Sequence, residues 1–204
     1  MEKLTLEEGA FAVKFARTAI ESYLTGSDVV VSNYPERFNE PRGVFVSLHT
    51  YPEHSLRGCI GIPEPVMPLI EALKEAAISA SVNDPRFPPV NIDELSEIVI
   101  EVSILTVPKL VEVDDPSEYL EKIKIGRDGL IIEYGIYRGL LLPQVPVEYN
   151  WDVAEYLGNL CLKAGLPPDA WLNRNVKIYA FQAQVFEEIS PNSQVVEKPL
   201  YSGY

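Results

Sequence analysis

Arg57 and Cys59, in the segment LRGCIG, place a cation and a thiol two positions apart. The segment has the length and composition of a strand, in which alternate residues point to the same face. A nearby guanidinium favours the thiolate, the nucleophilic form of cysteine. Gly58 and Gly61 lack side chains, so a ligand or another backbone could come close to them. The segment is consistent with a reactive Cys59; the alternative is that Cys59 is a small buried apolar residue, which is common for free cysteine.

The chain has two histidines, His49 and His54, and both flank the loop that precedes LRGCIG. A histidine beside Cys59 would make a nucleophile and base pair. The same three residues could ligate a metal, although their spacing matches no zinc pattern of known geometry. The alternative is that the histidines are solvated loop residues. The hairpin register decides between these readings, because a slip of one residue reverses which faces meet.

Glu101 is a carboxylate inside the apolar stretch VIEVSIL. A buried carboxylate has either a raised pKa or a cationic partner, and both situations can serve acid–base chemistry. The alternatives are a structural ion pair with an arginine, or an edge position at which Glu101 faces water. Glu101 is therefore a candidate acid or base.

The turn NDPRFPP is stiffened by three prolines, and its Asn and Asp suit turn positions. Arg86 in this turn could be held out as an anion clamp, because its planar guanidinium presents a fork of donors. It could equally tie down a neighbouring acidic loop.

The elements that position these residues follow from periodicity and turn residues. Thr5 and Glu8 form a capping box at the first helix, and Asn150 is the expected N-cap of a third helix in NWDVAEYLGNLCLKAG. The glycine-punctuated stretch GRDGLIIEYGIYRGLLLP is predicted to form two strands. Helices over 5–24 and 68–82 are predicted to back one sheet with strands over 44–49, 56–61, 98–107 and 177–187.

This order of elements lacks the strict strand–helix alternation of a doubly wound sheet. It favours an α+β fold with a mostly antiparallel sheet flanked by helices, in two subdomains with a cleft between them. The larger subdomain is predicted over 1–107 plus 175–190, the smaller over 108–174, and a C-terminal tail over 191–204.

Charge and composition disfavour several classes of partner. The net charge is −13 with no basic stripe, so nucleic acid and anionic membranes would be repelled. No apolar run approaches the roughly 20 residues of a membrane span, and the acidic N-terminus is unlike a signal peptide. Cys59 and Cys161 form no paired motif, and Cys161 falls on the apolar face of the third helix. A reduced, cytoplasmic protein is expected, without a structural metal or cofactor.

Taken in order, the segments RGVFVSL, LRGCIG, DPRFPPV, IEVSILT, IGRDGLII, GLLLPQV, WD and CLKAGL resemble the AMMECR family from about Arg42 to Trp171. The resemblance implies an intracellular α+β protein in two subdomains, from a family with no agreed biochemical activity. In some genomes the domain neighbours or is fused to Memo-like and radical SAM domains, which implies a shared modification pathway and partners of those kinds. The family's motifs match Arg57, Gly58, Cys59, Gly61, Asp84, Arg86, Glu101, Pro143 and Gln144 of this chain.

Two functions are consistent with these residues. The first is an enzyme that acts on a small molecule or in biomolecule modification, with Cys59 and Glu101 catalytic in a cleft centred on LRGCIG. The second is a non-catalytic module that binds a peptide, a protein or a nucleotide in the same cleft. In either case the predicted ligand-binding residues are Arg57, Gly58, Gly61, Asp84, Arg86 and Gln144.

Overall fold

A computed structural model describes residues 3–29 and 33–199, and the chain divides into two compact units. The first unit combines the chain up to Leu105 with Gln184–Pro199, and the second contains Thr106–Ala183. The predicted α+β class is confirmed: both units combine helices with an antiparallel sheet. None of the helices in the described ranges has the length and apolar character that a bilayer span requires.

The strands of the described ranges are β1 (Val44–Thr50), β2 (Leu56–Ile62), β3 (Ile98–Leu105), β4 (Lys109–Leu110), β5 (Gly129–Tyr134), β6 (Tyr137–Leu141), β7 (Lys177–Phe181), β8 (Ala183–Glu188) and β9 (Val195–Lys198). They form two sheets with the orders β2-β1-β3-β8-β9 and β4-β7-β5-β6.

The α-helices of the described ranges are α1 (Leu6–Thr25), α2 (Leu69–Val82), α3 (Tyr119–Lys122), α4 (Val145–Glu148) and α5 (Val153–Lys163). The predicted capping box is present at α1, where Thr5 and Glu8 exchange side-chain to backbone hydrogen bonds. Gly26 ends α1 with φ 72°, a left-handed conformation that glycine adopts without steric cost.

The core of the first unit lies between one face of the five-stranded sheet and the helices α1 and α2. Apolar residues alternate along the central strands, so that Val46 and Leu48 of β1 and Ile100 and Val102 of β3 are buried on the helix side. The opposite face carries Ser47, His49, Cys59, Glu101 and Glu187, and is called the polar face below.

The second unit packs α5 on its own sheet, around a separate apolar cluster that includes Leu130, Ile132, Tyr156 and Ile178. The two strands predicted in its glycine-punctuated stretch are confirmed as β5 and β6, which pair antiparallel.

The prediction of one strand over 177–187 is wrong, because the chain changes sheets at Gln182. β7 pairs with β5 in the second unit, and β8 joins the sheet of the first. At the crossing, Thr106 donates its backbone N–H to the Gln182 carbonyl (2.7 Å), and the Gln182 N–H returns a bond to Thr106 Oγ1 (2.8 Å). The apolar alternation continues across Gln182 and carries no signal of this change.

Two further local predictions need correction. Asn150 is not the N-cap of α5; it has φ 53°, and Asp152 caps the helix with Glu155 in a capping box. The segment predicted as a tail contains β9, which pairs with β8. Residues 200–204 of that segment lie outside the described residues.

Candidate functional site

Cys59 lies on β2, the edge strand of the five-stranded sheet, and its backbone is bound by the NDPRFPP turn. The Cys59 N–H donates to Asp84 Oδ2 (2.8 Å), and Arg86 donates to the Cys59 carbonyl (3.2 Å). Arg86 also forms a two-pronged pair with the Asp84 carboxylate at 2.9 and 2.7 Å. The turn therefore occupies the free edge of β2 as a neighbouring strand would, and it fixes the position of Cys59.

The charges of this turn stabilise one another. Hydrogen bonds from Arg86 hold the pKa of Asp84 well below its usual range, and they outweigh the burial of the carboxylate. The same bonds raise the pKa of Arg86 against the opposing effect of its burial. Arg86 is thus a cation that the turn holds against the backbone of Cys59.

Cys59, Ser47 and Glu101 form a row across three adjacent strands on the polar face. Ser47 of β1 is in register with Cys59 on one side and with Glu101 of β3 on the other. Because the backbone of Cys59 points to the sheet edge, Cys59 and Ser47 are a non-hydrogen-bonded pair, the type in which side chains lie closest. Ser47 Oγ donates to Cys59 Sγ at 3.2 Å, and the Cys59 side chain remains partly exposed.

Arg57 is engaged elsewhere. Its guanidinium donates to both carboxylate oxygens of Glu94 at 3.2 Å and to the carbonyl of Pro88 at 2.9 Å. In the β1–β2 pairing, Leu48 lies opposite Gly58, and the next residue of β1, His49, lies opposite Leu56. Arg57 therefore has no opposite residue in β1 and is the extra residue of a bulge. A bulge breaks the strict alternation of side chains, on which the expected shared face of Arg57 and Cys59 depended.

The two glycines of the motif have packing explanations. A Cβ on Gly58 would lie 2.2 Å from the carbonyl oxygen of Ala80 in α2, so glycine lets the helix approach the strand. A Cβ on Gly61 would lie 2.2 Å from the ring of Phe45, its cross-strand partner. Both positions are filled by neighbouring protein atoms.

Glu101 forms an ion pair, as one of the alternatives from the sequence proposed, but its partner is a lysine rather than an arginine. Lys198 of β9 contacts Glu101 at 2.9 Å and Glu187 at 3.1 Å. Burial opposes the charge of Lys198, but the hydrogen bonds to the two carboxylates outweigh burial and raise its pKa. Two carboxylates therefore share one ammonium group on the polar face.

His49 and His54 come together beside this group. Their rings stack with centroids 4.3 Å apart, and His54 Nε2 lies 2.6 Å from Glu187 Oε1. Both ring nitrogens of His49 are inaccessible and have no hydrogen-bond partner. Burial lowers the pKa of His49, the nearby Glu101 charge opposing it only in part, so this imidazole is neutral at neutral pH.

Two residues considered from the sequence lie in the second unit. Gln144 precedes α4, and its carbonyl accepts the N–H groups of Val147 and Glu148. Cys161 is fully buried in α5, and burial raises the pKa of its thiol, as expected for a core residue.

Sequence reasoning missed Ser47, Glu187 and Lys198. Ser47 could have been found as the polar residue between the apolar positions of VFVSL, once the hairpin register was known. Glu187 and Lys198 had no such signal, because the assignment of 177–187 to one strand and of 191–204 to a tail separated them from the other polar residues.

The AMMECR1 family model matches residues 13–186. The chain is 70% identical to Protein MJ0810 of Methanocaldococcus jannaschii, over 98% of this chain and 100% of that relative. It is 57% identical to Protein MK0488 of Methanopyrus kandleri, over 98% of this chain and 97% of the relative. The crystal structure of the uncharacterized protein PH0010 from Pyrococcus horikoshii superposes with a TM-score of 0.81 at 52% identity, covering 95% of this chain and 97% of that one.

Proposed function

The chain belongs to the AMMECR1 family, and from that premise we propose that its first unit is an enzyme that acts on a small molecule through Cys59. The observation that carries the proposal is the setting of the Cys59 sulfur. It accepts a hydrogen bond from Ser47 Oγ at 3.2 Å, while Asp84 and Arg86 hold the backbone of the same residue. Reactive cysteines are found at partly exposed positions near a cation, and Cys59 is partly exposed with Arg86 bound to its carbonyl.

The proposed roles differ from those expected of the isolated motif. Arg86, rather than Arg57, supplies positive charge next to Cys59, because its guanidinium donates to the Cys59 carbonyl, whereas that of Arg57 donates to Glu94 and Pro88. Asp84 positions Arg86 and the Cys59 backbone.

Glu101 is assigned the transfer of a proton to or from the substrate. β2 and β3 are separated by β1, so their backbones lie two strand spacings, about 10 Å, apart. Glu101 therefore acts on the substrate rather than on the Cys59 thiol, and a substrate of a few heavy atoms spans the row from Cys59 past Ser47 to Glu101. Lys198 holds the Glu101 carboxylate in place.

Selective alkylation tests this proposal. The native protein is treated with iodoacetamide at several pH values, and each cysteine is followed by peptide mass spectrometry. We expect Cys59 to be labelled near neutral pH and Cys161 only after denaturant is added, because Cys161 is fully buried. Arg86→Leu should slow the labelling of Cys59 several-fold.

Arg57→Leu is the matched control, since it removes an equal charge from a guanidinium paired with Glu94. It should leave the labelling rate close to that of the native protein. If Cys59 is as inert as Cys161 until the protein unfolds, Cys59 has a packing role and the non-catalytic binding module becomes the better account.

A further inference from the structure

The His49 side chain presents an unusual combination of burial and missing partners. Neither Nδ1 nor Nε2 has a hydrogen-bond partner, and both atoms are inaccessible. Buried polar atoms without partners are rare, and each calls for a bound water or ion, a functional role or strain. An apolar side chain would fill the same space without that penalty.

The ligand-forming atoms around His49 converge. One ring nitrogen of His49, one of His54 and a carboxylate oxygen of Glu187 all lie within 4.8 Å of one another. His54 has φ 55°, a left-handed conformation that is uncommon for residues other than glycine. Its backbone N–H donates to the Thr50 carbonyl at 2.8 Å, which fixes the hairpin loop that carries the ring.

We propose that His49, His54 and Glu187 bind one divalent transition-metal ion. Imidazole nitrogens combined with a carboxylate oxygen suit zinc, iron(II) and cobalt(II), and three protein ligands leave coordination positions open for water or a substrate. The ion replaces the hydrogen-bonded proton between His54 and Glu187, and it gives one of the two buried nitrogens of His49 a partner.

The surrounding charges favour a cation. Glu101 and Glu187 supply two negative charges against the single ammonium of Lys198. Lys198 contacts Oε2 of Glu187, whereas His54 contacts Oε1. Lys198 can therefore keep orienting the carboxylate while the other oxygen binds the ion, as residues around metal ligands commonly do.

The site is independent of the proposed role of Cys59, although both lie on the polar face. His49 follows Ser47 by two residues on β1, which places the ion roughly 7 Å along the strand from the Cys59 row.

Metal uptake by the full chain tests the proposal. Protein stripped with chelator is titrated with Zn²⁺, Co²⁺ and Mg²⁺ by calorimetry, and Co²⁺ binding is also followed by its visible absorption. We expect one equivalent of Zn²⁺ or Co²⁺ to bind, with cobalt bands typical of nitrogen ligands, and Mg²⁺ to bind far more weakly because it prefers oxygen ligands. The chain has two histidines, so binding that depends on histidine reports on this site.

His54→Asn and Glu187→Gln should each weaken Zn²⁺ binding at least about tenfold. Asparagine tolerates the left-handed backbone at position 54, which protects the fold of the first variant. Glu133→Gln, which removes an acidic residue from the second unit, should bind zinc like the native protein, as should Cys59→Ala.

The proposal is overturned if Zn²⁺ binds no more tightly than Mg²⁺, or if His54→Asn and Glu133→Gln bind it equally well. Either result means adventitious binding by an acidic chain. Failure of this experiment would leave the alkylation behaviour of Cys59 unaffected, so the two proposals can fail separately.

Discussion

The two faces of the five-stranded sheet differ in how completely their charged and polar groups are paired with other protein groups. On the helix-covered face, Arg17 of α1 donates to Glu188 (2.8 Å) and to the carbonyls of Leu95 (3.0 Å) and Ile98 (2.6 Å). Glu188 also accepts the backbone N–H of Ile100 at 3.0 Å. The side chains of Arg17 and Glu188 are only 7% and 1% exposed, and the hydrogen bonds of this buried pair are made to protein groups.

The polar face leaves bonding capacity unused. Glu101 and Glu187 share Lys198, and neither ring nitrogen of His49 has a hydrogen-bond partner. Stability favours satisfied polar groups, whereas ligand binding requires groups that protein atoms have not already satisfied. The contrast supports the proposal that the polar face serves binding, whereas the pair of Arg17 and Glu188 serves the fold.

The largest effect that would sharpen this contrast is expected from Glu188→Leu. The substitution leaves the Arg17 charge buried without its counterion, which costs about 3–5 kcal/mol in the free energy of unfolding. Urea denaturation followed by circular dichroism measures the change. The double variant Arg17→Met with Glu188→Leu should recover much of the loss, because replacing a whole buried pair by apolar residues is often near neutral. A loss below about 1 kcal/mol in the single variant would remove the distinction between the two faces.

An intermediate effect is expected from Asp84→Asn at the edge of β2. The neutral amide weakens the bonds to Arg86 and to the Cys59 N–H, so we expect a loss of about 2 kcal/mol at neutral pH. The pKa of Asp84 is lower in the folded protein, so its contribution is present above the unfolded value near 4 and is lost as the pH falls.

The measurement for Asp84 is stability against pH. Native protein should lose stability from about pH 5 downward, and the difference between native protein and Asp84→Asn should shrink over the same range. Glu133→Gln, at an ion pair whose side chains are about 40% exposed, serves as the control and should follow the native profile. A difference that does not change with pH would contradict the assignment of this effect to the Asp84 charge.

The smallest effect, and one of opposite sign, is expected from His49→Leu. Leucine removes two unpartnered buried nitrogens, so metal-free protein should keep its stability or gain up to about 1 kcal/mol. Chemical denaturation in the presence of a chelator checks this. A loss above about 2 kcal/mol in the free energy of unfolding would mean that His49 stabilises the fold. The proposed difference between the two faces would then not apply to His49.

Local sequence signals predicted most of the elements. The capping box of Thr5 and Glu8, the hairpin before LRGCIG and the glycine-punctuated β5–β6 pair all depend on neighbours within a few residues, which a sequence displays directly. The prediction of Asn150 as the N-cap of α5 also used local signals and was wrong. Asn150 and Asp152 are both good capping residues, and only the backbone path selects between them.

The candidate site was predicted in part. Cys59 and Glu101 do lie on one face, with Ser47 between them. The expected partnership of Arg57 with Cys59 rested on regular alternation, which the bulge at Arg57 interrupts. The sequence predicted that Arg86 would either clamp an anion or tie down an acidic loop. Its pair with Asp84 in the same turn and its bond to the Cys59 carbonyl depend on how the turn meets the edge of β2.

Composition and short-range periodicity were enough to predict the class of the fold, its main helices and strands, and the residue types available for chemistry. Which of those residues meet depends on the packing of distant segments. Lys198 reaches Glu101 across 97 positions of sequence, and His54 reaches Glu187 across 133, because β8 and β9 return to the sheet after the second unit. Strand order and register set these contacts, and both depend on the packing of the whole chain rather than on any local pattern.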